Sequence, residues 1–412
     1  MNVTNTPPVD VVIAGGGLVG ASLAIALAPS GLTVRVVDPV TADAPAQPSY
    51  DDRSTALAPT SRRILEALGL WSVIAPETGP IRRIHVSDQG GFGMTRMDAA
   101  REGLDALGYV APNRVLGRAL RGALERLPGT VQTVTDSVAT VHTDEDTARV
   151  ELGSGASLSA RLLVAADGTH SAMREHLGLQ VRETDYGQHG VVANVTPARE
   201  PAGEAFERFT PEGPLALLPL PGGHCSLVWT VDPERAEALT AMDDASFLAA
   251  LQDTFGYRLG RFLRVGRRVS YPLRLSRSHH RVADRGVVIG NAARTLHPVA
   301  GQGFNLALRD VAELGERVHV AAGAGEDPGS ARLLAGYAAA RQPDHRRVTA
   351  FTDALVRLFS NRIPGLRLAR NAGLMGMELL PGPRDALMRQ AMGRSGRLPR
   401  LARGLPLESI HG

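Results

Sequence analysis

Val9-Asp10-Val11-Val12-Ile13-Ala14-Gly15-Gly16-Gly17-Leu18-Val19-Gly20 is the stretch whose reading decides the architecture. The short apolar run from Val9 to Ala14 predicts a strand buried on both faces. A glycine turn closes it, and the small residues from Leu18 to Ala28 predict a helix. Gly31 ends that helix, and Thr33 to Val37 predicts a second strand terminating at Asp38, completing a β–α–β unit. Gly15-x-Gly17-x-x-Gly20 therefore sits at a strand-to-helix junction with a carboxylate about 20 residues beyond it, as a dinucleotide fingerprint requires. Gly15 permits the tight turn, Gly17 lets the main chain approach a pyrophosphate, and Gly20 lets the helix pack on the strand. The pyrophosphate would lie at the helix N-terminus, where free N–H groups and the helix dipole favour negative charge. Asp38 would accept a hydrogen bond from a ribose hydroxyl. Alone, the pattern does not separate FAD from NAD.

Working outward, the Pro- and Ala-rich run from Val40 to Ser49 predicts a loop, and Thr60 to Leu70 and Val115 to Leu127 predict amphipathic helices. Val131 to Val141 and Ala148 to Leu152 predict a hairpin with Asp144-Glu145-Asp146 at its tip. Leu162 to Ala166 predicts a buried strand ending in Asp167-Gly168. From Val181 to Pro272 the pattern turns to alternating strands, such as Leu215 to Leu220 and Ser226 to Val231 joined by Pro221-Gly222-Gly223. Val287 to Gly290 returns to buried-strand character, a helix follows from Gly303 to Ala321, and Gly323 to Gly329 reads as a linker. A chain of 412 residues has room for more than one core. The organisation expected is an α/β fold: a discontinuous dinucleotide-binding domain (1–180 and 273–330), an inserted β-rich substrate domain (181–272) and a helical C-terminal region (331–412).

Composition narrows the chemistry. All 45 basic residues are Arg, which excludes a Schiff-base lysine or a phosphate-loop lysine. A net charge of +3 does not argue for nucleic acid, and no nucleic-acid-binding signature is present. Cys225 is the only cysteine, so intrachain disulfides and thiolate metal sites are excluded, and no other metal constellation is evident. The N-terminus lacks a basic n-region and reads as a strand rather than a signal peptide, and no run reaches the length of a membrane-spanning helix. The expected location is the cytoplasm, with membrane contact only at the surface.

Two further motifs bear on the ligand. Asp167-Gly168 follows a buried strand, where a carboxylate reaches a ligand in the crevice or simply shapes a turn. Gly290-Asn291-Ala292-Ala293 precedes His297-Pro298-x-x-Gly301-Gln302-Gly303-x-Asn305, a strand end meeting a Pro/Gly loop and a helix start whose N–H groups stabilise negative charge. In this order the three motifs resemble the class A flavoprotein monooxygenases, the para-hydroxybenzoate hydroxylase-like fold with a Rossmann-like FAD domain. The resemblance implies FAD contacts from Asp167 and Gly168, a ribityl contact from Asn291, Pro298 over the isoalloxazine, and further cofactor contacts from Gly301, Gly303 and Asn305. Asn291 departs from the family's commoner Asp, and Arg294 stands where many members carry His.

Asp51-Asp52-Arg53-Ser54-Thr55-Ala56-Leu57, Asn113-Arg114-Val115-Leu116, Glu207-Arg208-Phe209-Thr210 and Arg370-Asn371-Ala372-Gly373-Leu374-Met375 resemble the ubiquinone-biosynthesis hydroxylases. Within that group the chain looks most like the 2-polyprenyl-6-methoxyphenol hydroxylases. The likeness places Arg53 near the flavin and puts Asn113 where relatives carry an FAD-contacting Arg. It implies reduction of FAD by NADPH or NADH, reaction with O2 and attack of a flavin C4a-hydroperoxide on the ring of a polyprenylated phenol. It also implies association with other ubiquinone-biosynthesis proteins. His297 is a candidate base for the phenol proton, or only shapes the turn before Pro298. Leu215 to Leu220 and the run Leu374, Met375, Met377, Leu379, Leu380 are candidates for a greasy pocket, or are core. Arg389 to Arg403 interleaves Arg with Met and Leu, as peripheral membrane segments and solvated termini both do. A flavin dehydrogenase, reductase or halogenase on the same fold stays open, as does a non-catalytic scaffold. The halogenase Trp-x-Trp pattern is absent, the two Trp being Trp71 and Trp229.

Overall fold

The Val9–Ala14 strand has parallel neighbours on both sides and side chains covered on both faces, which is why Val11, Val12 and Ile13 are wholly buried. The computed structural model describes residues 8–40, 53–127, 129–296, 301–359, 371–373, 375–376, 378 and 397–408. The chain runs through β1 (Val9–Ala14), α1 (Leu18–Leu27), β2 (Val34–Asp38), β3 (Ser54–Leu57), α2 (Pro59–Ala67), α3 (Trp71–Ile74), β4 (Gly79–Ile81), β5 (Arg83–Asp88), β6 (Met94–Asp98), β7 (Gly108–Pro112) and α4 (Asn113–Leu124). Next come β8 (Val131–Thr135), β9 (Val138–Thr143), β10 (Ala148–Leu152), β11 (Ser157–Ala165), α5 (Ala172–His176), β12 (Val181–Pro197), β13 (Glu204–Phe209), β14 (Pro214–Pro219) and β15 (Cys225–Val231). The remainder is α6 (Pro233–Ala241), α7 (Asp244–Phe255), β16 (Phe262–Val265), β17 (Val269–Ser278), β18 (Val282–Ala283), β19 (Gly286–Val288), β20 (Arg294–Thr295), α8 (Gln302–Gly323) and α9 (Ala331–Phe359).

The first sheet is parallel through β19-β11-β1-β2-β8, with β18 and the β9–β10 hairpin antiparallel at its margins. One face packs on α1, α2, α4 and α8 through Leu23, Leu27, Ile64, Leu120, Leu308 and Leu314. The other is covered by the β9–β10 hairpin and α5. The second sheet is ordered β20-β17-β12-β15-β14-β13-β5-β6, with β16 on β12, and packs on α6 and α7 around Trp229, Phe247 and Phe255. A third sheet, β3-β7-β4, lies against it through Val110, Ile81 and Ala205. No helix among the described residues is long and apolar enough to cross a membrane.

Two elements differ from the sequence reading. The run Val131 to Val141 is not one arm of a hairpin. Its first half, β8, is drawn into the first sheet beside β2, and only β9 turns back on β10. The second sheet also takes β5 and β6 from the stretch 1–180, because β5 pairs in parallel with β13, and its strand β17 continues past 272 to Ser278. The tail is packed where it is described: Leu401, Ala402 and Leu407 are buried in the core that includes Ile64 and Leu65 of α2. The Val40 to Ser49 loop, apart from Val40, and the segment from Arg389 to residue 396 lie outside the described residues.

Candidate functional site

The carboxyl ends of β19, β11, β1 and β2 lie side by side, and the ladder continues into their turns. Ile289 N–H donates to Ala165 (3.0 Å), Ala166 N–H to Ala14 (2.8 Å) and Gly15 N–H to Val37 (2.8 Å). Gly290, Asp167, Gly15 and Asp38, distant in sequence, are therefore set along one edge, which is where ligands bind in open parallel sheets. Gly15 adopts φ +102°, and a Cβ there would stand 2.6 Å from the Ala166 carbonyl oxygen. A Cβ on Gly20 would fall on the Gly15 carbonyl oxygen. Gly17 caps α1 with no side-chain hydrogen bond and no acidic residue in the first turn, so bare main-chain N–H groups and the positive end of the helix face the crevice. Asp38 braces this loop: its carboxylate accepts from Gly16 N–H (2.5 Å) and Val40 N–H (2.8 Å). Each oxygen keeps a lone pair for a hydroxyl.

Asp167 accepts from the Ser171 hydroxyl (2.5 Å) and from Met173 N–H (3.0 Å), which holds the Gly168 turn at the start of α5. The buried guanidinium of Arg174 donates to Thr169 (3.3 Å) and Ala292 (3.0 Å) carbonyls, tying the second motif to the third. No sequence signal marks Arg174, because its partners are main-chain atoms, one five residues before it and one in a turn 118 residues on. Gly290, at φ +60°, lies over α1 so closely that a Cβ would meet Val19 at 3.0 Å. Asn291 is exposed at the tip of that turn.

Arg53 and Asn113 come together where β3 pairs with β7. Asn113 N–H donates to the Arg53 carbonyl (2.8 Å), and its buried side-chain oxygen accepts from the Thr55 hydroxyl (2.7 Å). Gly301 caps α8 in the left-handed region with Ala56 beneath it, and Gly303 follows in the first turn facing open space. Asn305, expected at the cofactor, has its side-chain amide engaged by protein. The oxygen accepts from Ala58 N–H (2.7 Å) and the Ser61 hydroxyl (2.6 Å), while the nitrogen donates to Ala56 (2.8 Å) and Gly301 (2.6 Å). It clamps the α8 start onto β3 and α2. His297 and Pro298 lie outside the described residues, as do Leu374, Met377, Leu379 and Leu380.

The second sheet has one face packed on α6 and α7 and a less buried face on the other side. Alternation sends Leu215 and Leu217 into the core with α6 and α7, and leaves Ala216 and Leu218 on the opposite face. Leu220 lies with Leu218 beside Ile81 and Val110, so the pocket candidates left in this run are Ala216, Leu218 and Leu220. In register, Val86, Glu207, Ala216, Val228 and Val192 form a half-buried row across five strands. Tyr271 lies on the same face, and the Arg53 guanidinium stacks on its ring at 4.8 Å. This contact ties the second sheet to the β3 segment. Glu207 is the carboxylate in the row. It has no hydrogen bond or ion pair among the described residues, and burial pushes its pKa up to about 7.

The groups present fit FAD: bare main chain at the glycine loop, an uncapped helix start, the Asp38 carboxylate, and a buried Ser54 hydroxyl beside Arg53 that lacks a partner among the described residues. The chain is 42% identical over 401 residues to "Ubiquinone hydroxylase UbiL" of Rhodospirillum rubrum, covering 97% of this chain and 93% of the relative. It is 34% identical to "3-demethoxyubiquinol 3-hydroxylase" of Escherichia coli over 94% of this chain and 99% of that one. The solved structure of p-nitrophenol 4-monooxygenase PnpA from Pseudomonas putida shares the fold, with a TM-score of 0.76 at 21% identity, over 94% of this chain and 99% of that one. A profile described as "FAD binding domain" matches residues 8–352, so the chain belongs to that family and FAD is its cofactor.

Proposed function

We propose that the chain is an FAD-dependent monooxygenase that hydroxylates the ring of a polyprenylated phenol in ubiquinone biosynthesis. The observation that carries this reading is the row of Val86, Glu207, Ala216, Val228 and Val192, apolar but for Glu207, on the sheet face where Tyr271 holds Arg53, a floor suited to an aromatic ring with a hydrocarbon substituent. The similarity to ubiquinone hydroxylases along nearly the whole chain supports it. When bound, FAD supplies the oxidation of NADPH or NADH and the activation of O2. The protein's own part is binding, orientation and exclusion of water. Gly15, Gly17 and Gly20 admit the pyrophosphate, Asp38 takes the ribose, and Asp167, Gly168, Asn291, Gly301 and Gly303 approach the remainder. Arg53, held on Tyr271, positions flavin or nicotinamide at the mouth. The substrate's hydrocarbon tail brings the enzyme to the membrane surface and to other ubiquinone-biosynthesis proteins.

Deleting the gene and profiling quinone intermediates by mass spectrometry tests this. A polyprenyl-methoxyphenol is expected to accumulate as mature ubiquinone falls. An unchanged quinone pool would overturn the proposal.

A further inference from the structure

We propose that Glu207 contacts the phenol hydroxyl of the substrate and takes its proton during hydroxylation. This rests on the hydroxylase reading above. Glu207 interrupts an otherwise apolar row, between Val86 of β5 and Ala216 of β14, on the face of the sheet that Tyr271 shares and Arg53 touches. Its neighbour Phe206 points the other way and packs edge-on against Phe255, so the strand's alternation sends Glu207 to the opposite face, away from α6 and α7. Ala205, on that same side, lies in the cluster with Val110 and Ile81 beneath the β3–β7 pair.

A carboxylate set among Val and Ala without a hydrogen bond costs stability unless a ligand group satisfies it. No charged group contributes to its shift, and the titratable pair on the same face, Tyr271 with Arg53 on its ring, stands four strands away on β17. Desolvation alone therefore sets its basicity, near neutrality, where a general base works best. In the step proposed, the phenol O–H bond breaks and the proton passes to the Glu207 carboxylate. The O–H electron pair stays on the phenol oxygen and pushes into the ring as the ring carbon bonds the oxygen atom derived from O2. The hydrogen displaced from that carbon leaves as a second proton to restore aromaticity. NADPH or NADH supplies the two electrons that reduce the other oxygen atom to water.

The test uses the FAD-loaded enzyme and the variants E207Q, E207D and H297N. The first probe is a short-chain alkyl nitrophenol, whose ionisation is read by its visible absorbance when bound. A carboxylate next to the phenol opposes the phenolate, so the bound probe should ionise about one pH unit lower in E207Q than in the wild type. Product formation from a short-tailed polyprenyl phenol should fall about 100-fold in E207Q, with NADPH oxidation diverted to hydrogen peroxide, FAD content matching the wild type and an unfolding temperature no lower. The wild-type rate should rise with pH through about 7, a limb absent in E207Q and partly restored in E207D. Identical probe ionisation in wild type and E207Q would overturn the assignment, as would loss of the limb in H297N instead. The probe titration needs no turnover, so it is decided even if the wild type hydroxylates no phenol, an outcome that would sink the functional reading instead.

Discussion

Gly15→Ala protein is expected to purify without its yellow cofactor. At φ +102° an L-residue is strained by about 1–3 kcal/mol. The added methyl would also stand 2.6 Å from the Ala166 carbonyl oxygen and 2.9 Å from the Asp167 Cα. Those atoms belong to the main chain at the end of β11, so the collision is relieved only by moving the glycine loop or the Asp167 turn. Either movement spoils the alignment of Gly15, Asp167 and Gly290 on which the crevice depends. With each 1.4 kcal/mol worth tenfold, FAD affinity should fall by about 100-fold or more. Gly129→Ala, where an added Cβ meets nothing within 4 Å, should bind FAD as the wild type does. Flavin absorbance of the purified proteins and a fluorescence titration with FAD check both. Equal affinity in G15A would mean that the cofactor does not approach this loop.

Asp310→Ala should be among the most destabilising single substitutions in the chain. Asp310 is fully buried between α8 and α9, accepting from Arg341 (2.7 Å) and from His345 (2.8 Å). Burial pushes its carboxyl upward, but His345 and Arg341 outweigh that and hold it well below the usual carboxylate range. Arg341 continues to Asp344 (2.8 Å), which also pairs with Arg309 (2.9 Å). Removing Asp310 strands buried positive charge, at a cost of about 3–5 kcal/mol. Asp185→Ala breaks an ion pair with Arg274 at 3.2 Å in which both side chains are about half exposed, and should cost under about 1 kcal/mol. Urea unfolding midpoints of the two variants compare these directly. The network also sets an acid limit. Burial lowers His345 from 6.5 to about 4, so its contribution is complete above pH 6.5 and is lost as pH falls through about 4. Because α8 begins at the Gly301 turn, loosening the α8–α9 core reaches the cofactor side as well.

What was legible in the sequence was local. The Val9–Ala14 run, the three spaced glycines and Asp38 are patterns within one β–α–β unit, and short-range sterics impose them wherever they occur. The family resemblance extended that reading to Asp167-Gly168 and Gly290-Asn291, whose meeting depends on β11 and β19 flanking β1 in order. Long-range pairing was not legible. In Val131 to Val141 the turn-forming pair Asp136-Ser137 marks a break, but nothing there says that β8 takes β2 as its partner. Nothing in Arg83 to Asp98 announces a parallel partner in β13. Arg174 and Asn305 each join a nearby turn to a segment far away in sequence, so their roles follow from topology. Glu207 was visible as part of a motif. Its place in an apolar row needed the register of five strands.

The central claim, that this FAD protein inserts an oxygen atom into a phenol, is tested most directly by turnover under isotopically heavy dioxygen. Purified holoenzyme, NADPH and a short-tailed polyprenyl phenol should give a product carrying one heavy oxygen on the ring, with one NADPH consumed per product. A product whose new oxygen comes from water, or substrate oxidation with no oxygen gained, would contradict it and make the chain a dehydrogenase on the same fold.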